Sequence, residues 1–138
     1  MSSVPELNKA IVRRFNKEFI ELGNAVVFDS LVSPEFRSYD AGGEVSDRDV
    51  ARAFFTQVFL PAFPDVVVVI HDQFADGDTV ITRKTYQGTH KGEFLGVPGT
   101  NKSVAISVIE IVKLRDGKYV EHWATADMFG ALQQIKGP

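Results

Sequence analysis

Apolar residues follow two different spacings along the chain, helical in the first half and alternating in the second. The helical spacing is clearest near the start, where apolar side chains recur one turn apart at Leu7, Ile11, Phe15, Phe19 and Leu22. It predicts an amphipathic helix of about 18 residues that ends at Gly23-Asn24. Further helices are predicted over Ala25–Leu31 and from Asp47 to about Leu60, the latter capped by Ser46. The apolar side of that third helix consists of Val50, Phe54, Phe55 and Val58.

The second half contains four strand-like runs, which are Val66–His71, Thr79–Thr89, Ser103–Leu114 and Lys118–Thr125. Tight turns are predicted at Asp76-Gly77 and Asp116-Gly117, so the last two runs form a hairpin. A loop that contains Gly and Pro spans His90–Lys102, and a last helix begins near Asp127 and ends near Ile135.

Helices that precede an antiparallel meander are typical of the α+β class. A short strand is also predicted at Phe36–Tyr39, before a turn at Asp40–Glu44. We expect one domain over residues 1–138, a length that supports a substantial core. In this domain three N-terminal helices pack on a curved antiparallel sheet, forming a cone with an internal pocket, and a short C-terminal helix follows.

Glu110 interrupts an aliphatic row, which makes it the first candidate for a functional residue. The run SVAISVIEIVKL places it on one strand face with Val104, Ile106, Val108, Val112 and Leu114. A buried carboxylate costs several kcal/mol unless it is paired, hydrogen-bonded or neutral, and burial raises its pKa. A raised carboxyl pKa suits a general acid or base. The alternative is a strand edge, or a structural contact with a neighbouring basic group.

His122 is the second candidate because the predicted hairpin brings its strand beside Glu110. Counting outward from the turn, Leu114 faces Lys118, and Glu110 then faces His122. Directly opposed residues have Cβ atoms about 4.5–5.5 Å apart. The imidazole would therefore orient the carboxylate, share its proton or form a charge pair with it. A purely structural His–Glu contact is the other interpretation.

Composition narrows the classes of function. The net charge is −3 without a block of like charge, which argues against nucleic acid binding. There is no cysteine, and the three histidines do not form a metal-binding pattern, so no metal site is predicted. No apolar run reaches the roughly 18 residues of a membrane span, and the N-terminal residues lack the apolar core of a signal peptide. We therefore expect a cytoplasmic protein that does not insert into membranes.

Four sequence segments, in order along the chain, resemble the SnoaL-like polyketide cyclases. This family is a branch of the α+β cone proteins that include nuclear transport factor and ketosteroid isomerase. The first segment is IVRRFNKEFIELGN in the first helix. The others are AFFTQVFLPAFPD (Ala53–Asp65), GTHKGEFLGVPGTNK (Gly88–Lys102) and RDGKYVEHWATADMFGALQQIKG (Arg115–Gly137). The resemblance covers nearly the whole chain.

The resemblance implies a reaction and an assembly. Such cyclases close a ring of an aromatic polyketide ester by intramolecular aldol condensation, use no metal or organic cofactor, and are commonly homodimers. It also implies a carboxylate base that removes a proton alpha to a carbonyl of a hydrophobic, often polycyclic, molecule. Aligning the family's last-strand histidine with His122 and its second aspartate with Asp127 places Ala124 at the family's catalytic aspartate. Glu110 aligns with the family's pocket histidine. Either Glu110 supplies the carboxylate from the opposite strand, or the protein carries out different chemistry, or none.

Six further residues complete the candidate site. Asp127 either caps the last helix or lies at the pocket mouth as a third catalytic residue. The candidates for substrate contact are Tyr39, Phe54, Arg83, His90 and Trp123. Tyr39 would offer a phenol to a substrate oxygen, and His90 starts a loop, where binding residues concentrate. Trp123 points away from His122, and packing on the outer sheet face is its simpler interpretation.

Other functions fit the same sequence. Epoxide or ester hydrolysis, or isomerisation, in the same cone is one alternative. Activation of water would need Arg83 between two pocket acids, and only Glu110 is evident. The absence of the strand aspartate at Ala124 instead favours a non-catalytic module that binds a small apolar ligand or a partner protein. The eleven phenylalanines fit either a ligand pocket or a filled interior.

Overall fold

The computed structural model of the protein describes residues 4–40 and 42–138. Ala41, in the predicted turn at Asp40–Glu44, lies outside the described residues. The described helices are α1 (Val4–Arg14), a first π-helical segment (Phe15–Glu21), α2 (Ala25–Leu31), α3 (Arg48–Ala53), a second π-helical segment (Phe54–Phe59), α4 (Leu60–Ala62) and α5 (Met128–Lys136). The described strands are β1 (Val32–Tyr39), β2 (Val45–Asp47), β3 (Val67–Asp76), β4 (Thr79–Thr89), β5 (Ser103–Arg115) and β6 (Lys118–Ala126).

The first predicted helix is confirmed, but its second half is π-helical. α1 continues directly into the first π-helical segment, which ends at Glu21, just before the predicted stop. Asn16 lies near the change from α- to π-helical spacing, and its side-chain amide donates a 2.8 Å hydrogen bond to the Val12 carbonyl. Asn16 is buried there together with Phe15 and Phe19. A polar side chain thus faces the interior from this helix, in a segment type that is frequent at functional sites.

The second helix has its predicted bounds, whereas the third differs in its cap and its buried side. Asp47, rather than Ser46, is the N-cap of α3, because its carboxylate accepts a 3.0 Å hydrogen bond from the Val50 amide. Ser46 lies instead in β2. The second π-helical segment changes the helical spacing, and Phe59 is its buried residue. The predicted apolar side is therefore wrong for residues that are 54, 39 and 43% exposed, namely Val50, Phe54 and Val58.

The described strands form one six-stranded sheet in the order β2-β1-β6-β5-β4-β3. β3 to β6 form the predicted antiparallel meander. The sheet is mixed rather than wholly antiparallel, because β1 pairs parallel with β6. β1 follows α2 and is distant in sequence from β6, so no hairpin forces the two strands to be antiparallel. The α+β architecture is confirmed. We call the sheet face that packs against α1 and the π-helical segments the inner face, and the opposite one the outer face.

Aromatic rings pack against the inner face. Phe19 lies 5.3 Å from Phe15 and 4.8 Å from Phe28, measured between ring centroids. Farther along the sheet, Phe59 lies 5.5 Å from Phe63 and 5.0 Å from Tyr86. Each such ring buries a large apolar area, so these contacts tie the helical layer to β4 and fill much of the space above the sheet.

The C-terminal helix covers a free edge of β5. Its predicted cap is confirmed, because the Asp127 carboxylate accepts a 2.8 Å hydrogen bond from the Gly130 amide. β6 ends at Ala126, opposite Val108. Beyond that point the Gln134 side chain donates a 2.9 Å hydrogen bond to the carbonyl of Ala105 and accepts one of 2.8 Å from its amide. Gln134 therefore pairs with β5 as the backbone of another strand would.

Candidate functional site

Glu110 lies in the middle of the inner face, as the alternation in β5 predicts. The residue is 4% exposed, and its neighbours in the same row, Val108 and Val112, are also buried. Thr82 of β4 and Ala124 of β6 are its directly opposed residues. An uncompensated carboxylate here would be strongly unfavourable, so the partners of Glu110 determine its chemistry.

Lys84 of β4 compensates the charge of Glu110. Its Nζ lies 2.9 Å from Glu110 Oε1, and the two side chains are 1 and 5% exposed. The angles of this contact do not suit a hydrogen bond, so it is an ion pair. Lys84 also donates a 2.6 Å hydrogen bond to Asn16 Oδ1 and lies 4.8 Å from the centroid of the Tyr86 ring. Burial lowers the pKa of Lys84, but Glu110 and Tyr86 more than offset this effect, so its pKa is raised. Lys84 is therefore an ammonium at neutral pH.

His122 joins Glu110 to Ser38. The imidazole Nε2 lies 3.1 Å from Glu110 Oε2, and Nδ1 lies 3.0 Å from Ser38 Oγ. Ser38 comes from β1, which reaches His122 through the parallel pairing with β6. The His122 side chain is 23% exposed, unlike that of Glu110. His122 is thus the member of the cluster that both contacts the buried carboxylate and faces solvent.

The predicted contact between Glu110 and His122 is present, but the predicted register is wrong. His122 is directly opposite Val112, and Glu110 is opposite Ala124. The strand pairing passes from Glu121 to Tyr119 against adjacent residues of β5, so Val120 is an extra residue in β6, a β-bulge. The bulge shifts His122 to a position diagonal to Glu110, which is still within reach of its long side chain.

The expected rise in the pKa of Glu110 is also wrong. Burial raises this pKa, but the ammonium of Lys84 and the hydrogen bond from His122 lower it more, to about 2 from an ordinary value of 4.5. Glu110 is therefore a carboxylate at neutral pH and a weak base. A deprotonated carboxylate can only accept hydrogen bonds, so His122 Nε2 carries a hydrogen and donates it. In a neutral imidazole the nitrogen without a hydrogen is then Nδ1.

Three predicted site residues lie on the outer face, away from Glu110. Trp123 lies there as predicted, and its ring stacks on Tyr39 with centroids 5.3 Å apart. Arg83 is opposite Ile109, and its guanidinium lies 2.7 Å from a carboxylate oxygen of Asp72. The structure does not bring Tyr39, Arg83 or Trp123 together with Glu110. The arrangement of an arginine between two pocket acids, which an epoxide hydrolase of this kind would need, is not formed around Arg83.

The remaining predicted residues are also apart from the Glu110 cluster. Asp127 caps α5, as described above. Phe54 is 39% exposed and packs edge-on against Phe55. His90 is fully buried rather than exposed, and its Nδ1 lies 2.9 Å from Thr100 Oγ1. This bond, with the backbone hydrogen bond of 2.9 Å from the His90 amide to the Lys102 carbonyl, joins the two ends of the His90–Lys102 loop.

Three surface cavities along the described residues have walls formed by residues other than Glu110 and His122. One of them has a volume of about 520 Å³ and lies mainly along the outer face, where Arg83, Ile109, Asp127 and Phe129 contribute to its wall. Thus Asp127 and Arg83 line a shared cavity, but one on the opposite side of the sheet from Glu110.

Three residues of the cluster were not predicted from the sequence, namely Lys84, Asn16 and Ser38. Lys84 was detectable, because the same alternation that places Glu110 inward places Lys84 in a row with Val80 and Thr82 on β4. The inward position of Asn16 was not predictable, because the π-helical segment changes the spacing of the first predicted helix. Ser38 had no local signal, since its contact depends on the parallel pairing of β1 with β6.

Among the described residues, no group of three or more His, Asp or Glu side chains is arranged to hold a metal ion. Within the same part of the chain, every helix is too short or too polar to cross a membrane.

Comparisons with known proteins agree with this geometry. A family model described as SnoaL-like polyketide cyclase matches residues 10–135. A crystal structure of a proposed SnoaL-like polyketide cyclase from Jannaschia sp. CCS1 is 26% identical, with a TM-score of 0.89 over 100% of this chain and 97% of that one. IdmH, a proposed polyketide cyclase from Streptomyces antibioticus, is 27% identical, with a TM-score of 0.83 over 93% of this chain and 97% of its own. AclR, a proposed hydroxylase from Streptomyces galilaeus, is 29% identical, with a TM-score of 0.85 over 95% and 82% of the two chains. The comparison with curated proteins gives no match.

Proposed function

The chain belongs to the SnoaL-like polyketide cyclase family, and from this premise we propose that it moves a proton alpha to a carbonyl group of a hydrophobic small molecule. The reaction is an intramolecular aldol-type ring closure that needs no cofactor. His122 is the proton-transfer group in this proposal, and Glu110 fixes its orientation and charge. The observation that carries the proposal is the 3.1 Å contact between His122 Nε2 and the buried carboxylate of Glu110.

This assignment differs from the expectation that Glu110 itself is the base. A carboxyl group with a pKa of about 2 has little affinity for a proton at neutral pH. Histidine is the side chain most often used as a general acid or base, and a neighbouring carboxylate orients its imidazole. Because His122 is 23% exposed and Glu110 is almost fully buried, the imidazole is also the group that a substrate can approach.

In the proposed reaction, the bond between the alpha carbon and its hydrogen breaks, and its electron pair forms the enolate. The proton goes to Nδ1 of His122, and the resulting imidazolium is stabilised by the carboxylate of Glu110. The enolate carbon then attacks a second carbonyl carbon of the same molecule, which forms the ring. The proton on His122 finally transfers to the new alkoxide, so the enzyme returns to its starting state.

The experiment uses an aromatic β-keto ester in D2O as a probe, because exchange of its alpha hydrogens reports proton removal without requiring ring closure. We expect the protein to accelerate this exchange and His122→Asn to lower the acceleration by roughly 10²–10⁴-fold. His71→Asn is the matched control, since His71 bonds Thr85 and lines the outer cavity. Unchanged exchange in the His122 variant would contradict the proposal.

A non-catalytic binding module is the second candidate, and one observation favours it. Ala124 places a methyl group directly opposite Glu110, where the family resemblance implies the catalytic aspartate. This candidate predicts that the probe binds, as measured by calorimetry, while its alpha hydrogens exchange no faster than in buffer. The exchange assay therefore separates the two functions.

We also propose a homodimer that forms through the outer face and acts in the cytoplasm. Several large apolar side chains on this face are 37 to 53% exposed, namely Ile81, Ile109, Ile111 and Trp123. Exposed apolar side chains that lie together mark an interaction surface more often than a solvent face. The dimer would cover the outer face and leave the partly exposed imidazole of His122, on the inner face, uncovered.

A further inference from the structure

The hydrogen bonds around His122 have a defined direction. Lys84 holds Glu110 as a carboxylate through the 2.9 Å ion pair between two buried side chains. The carboxylate accepts the hydrogen of His122 Nε2, at 3.1 Å. When His122 is neutral, its Nδ1 therefore has a free electron pair, and this pair points to Ser38 Oγ at 3.0 Å. Ser38 must then donate its hydroxyl hydrogen to His122.

We infer that Ser38 is a proton-relay residue, whose hydroxyl transfers protons between a substrate and His122 Nδ1. The chain of groups runs from Lys84 through Glu110 and His122 to Ser38, and we call it the relay. This inference rests on the proposed function, and it adds a residue that neither the sequence nor the family resemblance indicates.

A hydroxyl group suits this position because it can donate and accept hydrogen bonds. In the transfer, Ser38 Oγ takes the alpha hydrogen of the substrate and gives its own hydrogen to Nδ1 of His122. The electron pair of the broken C–H bond goes to the enolate, so Ser38 is unchanged and the imidazole gains one proton. The same 3.0 Å contact then persists with Nδ1 as donor and Oγ as acceptor.

The surroundings of Ser38 leave this path open. Ser38 is half-buried rather than enclosed, and within the described residues His122 is the hydrogen-bond partner of its hydroxyl. The groups that contact His122 are the Glu110 carboxylate from β5, the Ser38 hydroxyl from β1 and the Phe36 ring, whose centroid is 6.3 Å away. Glu110 is thus the charged group among these contacts, and Ser38 is the group on the side away from it.

The first test is independent of any substrate. Long-range nitrogen–proton NMR of the intact protein, labelled with nitrogen-15, reads which imidazole nitrogen carries hydrogen, and His71→Asn and His122→Asn assign the signals. We expect neutral His122 to carry its hydrogen on Nε2, with Nδ1 unprotonated. A neutral His122 with hydrogen on Nδ1 would reverse the relay and overturn the inference.

The second test compares three serine variants in the D2O exchange assay with the aromatic β-keto ester. Ser38→Ala should lower the acceleration by roughly 10²-fold, the lower end of the range for one acid–base group. Ser38→Thr, which keeps a hydroxyl, should retain most of it. Ser46→Ala is the matched control, because Ser46 is directly opposite Ser38 on β2.

The outcomes distinguish the inference from the proposed function. Loss of exchange in His122→Asn with full exchange in Ser38→Ala overturns the role of Ser38 and leaves the proposed function standing. Absence of exchange in the wild-type protein rejects the proposed function, and the NMR measurement then still decides whether the relay has the stated direction. Equal losses in Ser38→Ala and Ser38→Thr, with unchanged melting of both, would also overturn the relay role.

Discussion

Lys84 and Glu110 lie on adjacent strands of one sheet face, with ammonium nitrogen and carboxylate oxygen 2.9 Å apart and both side chains almost fully excluded from water. Such a pair contributes little net stability, because the cost of removing two charges from water offsets most of their attraction. Its effect is on chemistry: it keeps Glu110 negative and makes Nε2 of His122 a donor. A buried ion pair thus sets the protonation pattern of the partly exposed imidazole.

The two charges of this pair depend on each other. We expect Lys84→Met and Glu110→Gln each to lower the free energy of unfolding by about 3–5 kcal/mol, because each leaves one buried charge without its partner. The loss of unfolding free energy in the double variant should be smaller than the sum of the two single losses, with a difference of roughly 1–3 kcal/mol. Urea unfolding of the four proteins measures this difference. Additive losses would mean that the two charges are not coupled.

The control for that comparison is an exposed ion pair of similar length. Arg14 and Glu18 lie 2.9 Å apart with side chains 50 and 41% exposed. Arg14→Met should change the free energy of unfolding by no more than about 1 kcal/mol, because solvent screens exposed pairs.

The stability of the protein should fall in acid because of Glu110. Its pKa is about 2 when folded and 4.5 ordinarily, so the unfolded chain binds more protons between these values. The contribution is complete above about pH 4.5 and is lost as the pH falls toward about 2, in total about 3 kcal/mol. Urea midpoints measured across this range should decrease accordingly, beyond the decrease seen in Glu110→Gln.

Lys84→Met should weaken this pH dependence. Burial raises the pKa of Glu110, and Lys84 is the largest of the influences that lower it. Without the ammonium the pKa of the folded state should lie closer to its ordinary value, so the variant should lose less stability as the pH falls from about 4.5 toward 2. Urea midpoints that fall as steeply as those of the wild-type protein would show that other groups control the pKa of Glu110.

The loop His90–Lys102 should be sensitive to one added methyl group. A Cβ at Gly92 would lie 2.6 Å from the backbone oxygen of Pro61, a contact that requires the backbone to shift. Gly92→Ala should therefore lower the free energy of unfolding by about 1–3 kcal/mol. Gly42→Ala is the control, since its Cβ would meet Asp40 Oδ1 at an ordinary 3.5 Å, and it should change stability by less than about 0.5 kcal/mol. Thermal melting of both variants measures the difference.

The proposed dimer predicts that a charge on the outer face dissociates the protein. Ile109→Asp places a carboxylate on that face at a residue that is 53% exposed, so the monomer should fold normally. Sedimentation velocity should show a dimer for the wild-type chain and a monomer for this variant. Val26→Glu, at a residue 71% exposed on α2, should remain dimeric. A wild-type monomer would contradict the proposed assembly directly.

Strand alternation predicted the inward position of Glu110 because it depends only on neighbouring residues. The same local rule could have placed Lys84 beside it, and with that residue the direction of the pKa change would have followed. The register between Glu110 and His122 was wrong by two positions. One position comes from the turn, where Lys118 pairs with Arg115 instead of Leu114, and the other comes from the extra residue at the Val120 bulge.

Features that depend on long-range pairing were not predictable in this way. Ser38 reaches His122 because β1 lies parallel to β6. The sequence of β1 does not indicate which strand it pairs with. The loop position of His90 favoured a binding role, but this residue is fully buried beside Thr100, a contact with a residue ten positions further along the chain. The fold class therefore follows from local patterns and the family resemblance, whereas the composition of the polar cluster depends on how distant segments meet.

The side chain of Gln134 occupies backbone groups of Ala105 that a neighbouring strand would otherwise use. Unpaired strand edges are templates on which other chains assemble into aggregates. By occupying this edge, α5 protects the protein from aggregation through strand pairing. The helix therefore contributes to solubility and not to catalysis. A chain shortened before Gln134 would expose this edge even though every residue of the relay remained in place.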